Sequence, residues 1–480
     1  MSQKIQNQNS QSVHEQTIVA QCTPRGPGAI AIIRLSGLDA ISIADSMAVL
    51  SGSKKLFDQK SHTIHFGYVV DAYGQHIDQV LFLLMKAPNT FTGQDVVEIT
   101  CHNNRFLIEA IVDRSVACGA RLAGPGEFAQ RAVENGKIDL VQAEAINDLI
   151  HAQTVESLKY SLSQLEGTLS SWIKSVEQSV IEMLAFCEAS FEFLDEEGIE
   201  FVDDINSKMA AVVEKVDDLL KTYSKQQYIK EGVRIALVGS VNVGKSSLFN
   251  CLINKKRSIV TDIAGTTRDI VESGMYKNSG FLTFVDTAGI RVTDDQIEKE
   301  GVERSRNEIA QADIVLLVLD GSKELLPEET VQHQDLLQKW GHKIIVVQNK
   351  MDLIENDSSF FQPQPFALSG HEVVVSKGIL QVSAKENKNI DKLHDALDQK
   401  MNELKGSGQV TCLLNERQYE LLSTFLKQLK KIQTMLHHSV DYELLAYHLR
   451  ESLQFLSEVS GRSVAQAALD QVFKTFCVGK

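Results

Sequence analysis

One spaced set of residues in this chain is able to do phosphate chemistry. Gly239-Ser-Val-Asn-Val-Gly-Lys245-Ser246 fits G-x-x-x-x-G-K-[ST], in which backbone N–H groups cradle a phosphate chain, the lysine reaches the outer phosphates and the serine hydroxyl sits on Mg²⁺. Asn349-Lys-Met-Asp352 narrows the ligand to a base. Guanine offers N1–H and an exocyclic amine side by side and one carboxylate accepts from both; adenine lacks that pair, so Asp352 selects GTP or GDP over ATP. Gly265-Thr-Thr-Arg-Asp269, Asp286-Thr-Ala-Gly289 and Ser383-Ala-Lys385 complete the set. The expected nucleotide contacts are Asn242, Val243, Gly244, Lys245, Ser246 and Ser247; Thr261, Asp262, Ile263, Ala264, Gly265, Thr266 and Thr267; Asp286, Thr287, Ala288 and Gly289; Asn349, Lys350, Met351 and Asp352; and Ser383, Ala384 and Lys385.

Hydrolysis needs a γ-phosphate sensor, and Thr267 can place its hydroxyl on Mg²⁺ beside Ser246 while Gly289 offers its N–H; losing the phosphate would release both segments. Ras-type enzymes orient the attacking water with a Gln after the Asp-x-x-Gly turn. Here that position is Ile290, which cannot orient water. Glu298 in the polar segment 293–300 is a candidate, although on sequence alone it reads better as an exposed helix residue at a capping position. The charge that develops in phosphoryl transfer also needs a cation. Arg268 or Arg291 could supply it.

The elements that must position these residues are legible in the same stretch. Short apolar runs at 233–238, 281–285, 344–347 and 380–382 each precede a motif, which puts the motifs at strand C-terminal ends. In an open, doubly wound parallel α/β sheet, that edge is where ligands bind. Upstream, runs at 30–35, 80–85 and 96–100 broken by Gly and Pro turns predict a compact α+β domain. From Leu158 through Leu162, Leu165, Leu169, Ile173, Val176 and Val180 to Leu184, apolar residues at steps of three and four predict one stripe of a long helix. Leu444, Leu445, Leu449, Leu453 and Leu456 supply a second helical face to pack against it. The nucleotide motifs lie between these helical stretches, so a GTP-binding domain inserted into a helical domain is expected. The segment 357–376, with Pro363 and Pro365, reads as a loop insertion before the last strand.

A chain of 480 residues calls for two or three domains. Its net charge of −15 is an odd balance for a protein gripping nucleic acid, so RNA contact would rest on a local basic patch or a partner. The seven cysteines are scattered and lack metal-ligand spacing, which suits a reducing cytosol. The polar stretch 1–11 and the absence of any run approaching a membrane span lead us to expect a disordered tail on a cytoplasmic protein with no membrane association.

Asn242 with Gly265-Thr-Thr-Arg-Asp269 resembles the potassium-stimulated GTPases, which include ribosome-assembly switches and the MnmE (TrmE) tRNA-modification GTPases. Pro125-Gly-Glu-Phe128, Arg131, Asn135-Gly-Lys-Ile-Asp-Leu140, Gln142-Ala-Glu-Ala145 and the closing Cys477-Val-Gly-Lys480 are similar to the MnmE signature, and the likeness runs from about Thr17 to the last residue. The resemblance implies a multidomain α/β chain: a tail at 1–14, a tetrahydrofolate-binding and dimerisation domain at 15–134, a helical bundle domain at 135–228 and 403–480, and an inserted GTP-binding domain at 229–402. It implies a homodimer that forms a heterotetramer with the FAD protein MnmG. The pair would add an aminomethyl or carboxymethylaminomethyl group to C5 of the wobble uridine of certain tRNAs. The one-carbon donor would be 5,10-methylenetetrahydrofolate, with 5-formyltetrahydrofolate as an analogue. By the same resemblance Glu298 is the catalytic residue, Asn242, Thr261, Ile263 and Thr266 surround K⁺, Ser246 and Thr267 ligate Mg²⁺, and Arg34, Glu98, Lys137 and Lys480 contact folate. The alternative, a ribosome-assembly GTPase, predicts a second GTP-binding domain or a compact basic RNA-binding domain. Cys477 is expected to be a buried or spectator thiol. The chain departs from the family pattern at Ser240-Val241, where Arg-Pro is usual, at His102-Asn-Asn104 and at Arg25-Gly-Pro-Gly28.

Overall fold

A computed structural model describes residues 16–192, 202–253, 260–261, 271–277, 280–286, 307–354, 366–368, 371–373, 379–406, 410–436 and 442–479. The chain is a multidomain α/β protein that divides into two compact units. Residues 1–150, 162–217 and 415–480 form one, and 151–161 with 218–414 form the other.

In the first unit, β1 (Ile18–Gln21), β2 (Ile30–Ser36), β3 (Ala48–Leu50), β4 (Thr63–Val70), β5 (His76–Met85), β6 (Val96–His102) and β7 (Arg121–Leu122) form one sheet in the order β3-β4-β5-β6-β2-β1-β7. Side chains alternate across such a sheet, so each strand divides its residues between two faces. Ile33, Leu35, Phe82, Leu84, Val97 and Ile99 point to a core shared with Ile41 and Ala44 of the helix Ala40–Ser46 and Ile108 and Ile111 of the helix Arg105–Ala117. The opposite face carries Arg34 paired with Glu98, Leu83 beside Glu98, Phe66 with Leu81, and Ile64 with Leu83.

The helical part of this unit corrects one expectation. The stripe from Leu158 to Leu184 is not one helix but two, Val155–Leu165 and Thr168–Glu192. Gly167, at φ 99°, adopts the left-handed conformation that commonly ends a helix. Leu158 and Leu162 are 46% and 49% exposed, so the buried stripe begins only at Leu169 and runs through Ile173, Val176, Val180, Met183 and Cys187. The helix Tyr442–Ser460 packs against it and against Glu416–Leu436, burying Leu445, Leu449 and Leu456; Leu444 faces outward.

In the second unit, β8 (Val233–Val238), β9 (Val260–Thr261), β10 (Val271–Lys277), β11 (Gly280–Asp286), β12 (Ile314–Asp320), β13 (Ile344–Asn349) and β16 (Leu380–Gln381) give the order β16-β13-β12-β8-β11-β10-β9. Neighbours from β16 to β11 are parallel, whereas β10 and β9 run antiparallel at the edge. The parallel strands read as continuous apolar runs because both faces are covered. Helices Lys245–Ile253 and Ile390–Lys405 seal one side, and Pro327–Trp340 with Ile309 and Ala312 seals the other. The insertion at 357–376 is more than a loop: β14 (Phe366–Leu368) and β15 (His371–Val373) pair within it as a two-stranded hairpin.

Candidate nucleotide and one-carbon sites

The phosphate loop leaves β8 through three residues with positive φ: Gly239 (155°), Asn242 (65°) and Gly244 (94°). Two of these are glycines for a packing reason as well. A Cβ on Gly239 would strike the Val318 carbonyl, and one on Gly244 would strike the Asn349 amide. Asn242 is the side chain that accepts a left-handed backbone, which places it exposed on the loop. Lys245 is buried and its Nζ donates to the carbonyls of Gly239 (2.7 Å) and Ser240 (2.8 Å). Ser246 and Ser247 stand exposed in the first turn of Lys245–Ile253, where an anion meets unpaired N–H groups.

The base-recognition segments are locked to this loop. Asn349 is 2% exposed; its Nδ2 donates to the Val243 carbonyl (3.0 Å), and its Oδ1 accepts from the Ala384 N–H (3.0 Å). One side chain thus ties the phosphate loop to the Ser383-Ala-Lys385 turn. Lys350, at φ 65°, directs Nζ to Asp320 Oδ2 (2.7 Å), and Met351 is buried. Ser383 Oγ donates to Asp352 Oδ1 (2.6 Å) and accepts from the Glu386 N–H (3.1 Å). The Ser383 hydroxyl holds the Asp352 carboxyl below its ordinary range and so favours its anionic form, an acceptor of the kind expected for a guanine base. Lys385 is exposed beside it.

Thr261 and Asp286 lie on β9 and β11, where the backbone alone is described. Asp262 to Thr267, Arg268, Thr287 to Gly289, Ile290, Arg291 and Glu298 lie outside the described residues. Ser246 and Asn242 carry oxygen-bearing side chains exposed at the phosphate loop, which fit hard cations.

The second expected site lies on the outer face of the first unit's sheet. Arg34 Nε donates to Glu98 Oε1 (2.8 Å), with the Arg34 guanidinium carbon 5.5 Å from the Phe128 ring centre. Lys137 is exposed, its chain against Gly93. Lys480 lies outside the described residues, but its neighbour does not: the Gly479 carbonyl accepts from Cys22 Sγ (3.1 Å) and Arg34 Nη1 (3.5 Å). Val478 bridges Pro125, and the Gly126 N–H donates to the Cys477 carbonyl at 3.3 Å. The chain's last residues are thereby docked beside Arg34. Cys477 is exposed, so of the expected buried or spectator thiol the buried reading is corrected: the extended tail pairs through its backbone and turns this side chain outward.

Sequence reasoning missed the support beneath this site. Arg131, almost wholly buried, donates to Gln94 (2.9 Å), the Gln16 carbonyl (2.8 Å), the Ser36 carbonyl (3.4 Å) and Glu127 (3.0 Å). Burial pushes the Glu127 carboxyl up. The Arg121 bond, the Gly124 N–H and the charges of Arg121 and Arg131 outweigh it and hold the carboxyl below its ordinary value. The signal was present, since Glu127 and Arg131 fall within the Pro125–Arg131 motif, but the motif does not say that its arginine points inward.

Comparison with known proteins decides between the two GTPase classes. A family model described as "MnmE helical domain" matches residues 140–477, and one described as "GTP-binding protein TrmE N-terminus" matches 17–137. The chain belongs to the MnmE family of tRNA modification GTPases. Among curated MnmE proteins, that of Geobacillus thermodenitrificans is 37% identical over 470 residues, covering 97% of this chain and 99% of the relative. MnmE of Bacillus subtilis is 36% identical over 468 residues, covering 97% and 100%. MnmE of Enterococcus faecalis is 38% identical over 469 residues, covering 97% and 98%.

Proposed function

We propose that this chain is a potassium-stimulated GTP hydrolase that works with the FAD protein MnmG. Together they add an aminomethyl or carboxymethylaminomethyl group to C5 of the wobble uridine of certain tRNAs, using the one-carbon unit of 5,10-methylenetetrahydrofolate. The observation that carries the reading is the coexistence, in one MnmE-family chain, of a guanine-selective phosphate site and the Arg34–Glu98 pair. The carboxylate suits the amino and N–H edge of a pterin and the guanidinium suits an anionic glutamyl tail; the wholly buried Phe128 ring backs the Arg34 guanidinium. Lys137 and Lys480 complete the proposed folate contacts.

At the GTPase centre, Lys245 and the loop N–H groups bind the phosphates, Asp352 orients the base, and Ser246 with Thr267 would hold Mg²⁺. Asn242 with Thr261, Ile263 and Thr266 would hold K⁺, which would supply the positive charge that an arginine finger otherwise brings. Glu298 orients the attacking water. The remaining nucleotide contacts are those of the motifs named above, and the domain boundaries are those of the family.

A homodimer is supported by the open half of the first sheet's outer face. Ile64, Phe66 and Leu81 are 63%, 51% and 40% exposed and lie across neighbouring strands on the same face as Arg34 and Glu98. A second copy covering this patch would also close over the folate site. Among the described residues no helix is long and apolar enough to cross a membrane, in keeping with a cytoplasmic enzyme.

The test is GTP turnover by the purified chain in KCl and in NaCl. Faster turnover in KCl, lost in Asn242→Ala, is expected; equal rates in both salts would remove K⁺ from the reading. Glu298→Ala should keep nucleotide affinity while turnover falls.

A further inference from the structure

Strands β10 and β11 join the two segments that sense the γ-phosphate. β10 begins at Val271, two residues after Asp269, and β11 ends on Asp286, the first residue of Asp-Thr-Ala-Gly. Their pairing runs without a register shift from Val271 opposite Asp286 to Lys277 opposite Gly280. At about 3.3 Å per residue, the turn end of this ribbon lies about 20 Å from the nucleotide end. A regular two-stranded ribbon transmits a displacement at one end to the other.

Something waits at the turn end. Gly280, at φ 134°, has no side chain, and Lys405 occupies the space: a Cβ there would lie 2.8 Å from Lys405 Nζ and 3.7 Å from Met401 Sδ. Lys405 closes the helix Ile390–Lys405, and its Nζ meets Glu156 Oε2 at 2.5 Å. Glu156 sits in the first turn of Val155–Leu165. That turn is fixed by the buried Thr154, which accepts from the Ser157 N–H and donates to the Ile229 carbonyl. Tyr160 packs one turn on against Ile229, Val410 and Leu413. The Glu156 carboxylate is half exposed although Lys405 is largely covered, so water screens the pair from the carboxylate side and can replace it there when the lysine moves.

We propose that Lys405 is a sensor of the ribbon's position that passes the nucleotide state to the helix Val155–Leu165 through Glu156. Sliding the ribbon by a single residue's rise, about 3.3 Å, carries Gly280 away from Lys405 and destroys the hydrogen-bond geometry to Glu156. This helix is one of the places where the chain passes from one unit to the other, residues 151–161 of the GTP-binding unit continuing into Leu162, so its first turn is a point from which a signal can leave. A contact held in one nucleotide state and broken in the other is what coupling between sites requires. The inference rests on GTP binding within the proposed function but not on the modification chemistry.

The experiment is hydrogen exchange on the full chain with GDP and with GDP plus aluminium fluoride. We expect a several-fold difference in exchange over 151–165 between the two states. That difference should vanish in Lys405→Met and in Glu156→Gln, persist in Lys405→Arg, and return in the charge-swapped pair Lys405→Glu with Glu156→Lys, while GTP turnover stays within about twofold of the parent. If Lys405→Met does not fold, Glu156→Gln carries the test, because its carboxamide keeps the packing. An unchanged nucleotide-dependent difference in the folded variants, or no difference in the parent, would overturn the proposal.

Discussion

Replacing Asn349 with alanine cuts the nucleotide site at its tie. The side chain makes two hydrogen bonds of 3.0 Å, one to the phosphate loop at Val243 and one to the turn at Ala384. Each bond is worth about 1 kcal/mol net, and each group left unpaired away from water costs about 1–3 kcal/mol. The loops will separate enough to admit some water, so we take about 2–4 kcal/mol in total, charged against nucleotide binding because both loops must be in register to hold one ligand. That is a rise of about 30- to 1,000-fold in the Kd for GDP. The assay is titration with a fluorescent GDP analogue, with thermal unfolding as a control. A Kd within about threefold of the parent in a folded Asn349→Ala protein would refute the idea that this residue registers the two loops.

Other consequences are as direct. Glu144 accepts from Arg417 Nε (2.7 Å) and Nη2 (2.8 Å) and from Gln418 (2.6 Å), and Arg417 also donates to the carbonyls of Glu458 and Val459; Glu144→Ala should therefore destabilise the first unit by about 3–5 kcal/mol in urea unfolding, and Glu144→Gln by less. Because Glu127 titrates below its ordinary value of 4.5 when folded, it contributes stability that is present above that value and is lost as the pH falls through the depressed folded one. Unfolding midpoints measured from neutral to acid pH should fall less steeply in Glu127→Gln. Gly479→Ala puts a Cβ 2.5 Å from the Gln21 carbonyl at a residue with φ 96°, so the tail must leave Arg34; weaker 5-formyltetrahydrofolate binding with unchanged GTP turnover is the expected result in calorimetry and a phosphate-release assay.

How far the chain could be read in advance depended on the range of the interactions involved. β8 was legible to the residue because a strand buried on both faces is an uninterrupted apolar run, Val233 to Val238. The break at Gly167 was not, since the apolar steps continue across it and only the exposure of Leu158 and Leu162 shows that the first helix turns them outward. The nucleotide residues were named from motif spacing, yet the motif says nothing of Asn349 binding two loops together. Least legible was the docked tail, where Cys22 and Gly479 stand 457 residues apart and meet because Val478 bridges Pro125 and the Cys22 thiol donates to the Gly479 carbonyl. Lys137, expected to contact folate, is exposed, whereas Arg131 of the same signature proved to be an internal brace.

The central claim, that this guanine-nucleotide site serves tRNA modification, is tested most directly by mass spectrometry of tRNA nucleosides from a deletion strain with and without the chain restored. The account predicts that the C5-aminomethyl and carboxymethylaminomethyl uridines disappear on deletion, return with the parent sequence, and fail to return with Asn349→Ala. The same nucleosides at the same levels in the deletion strain would contradict it.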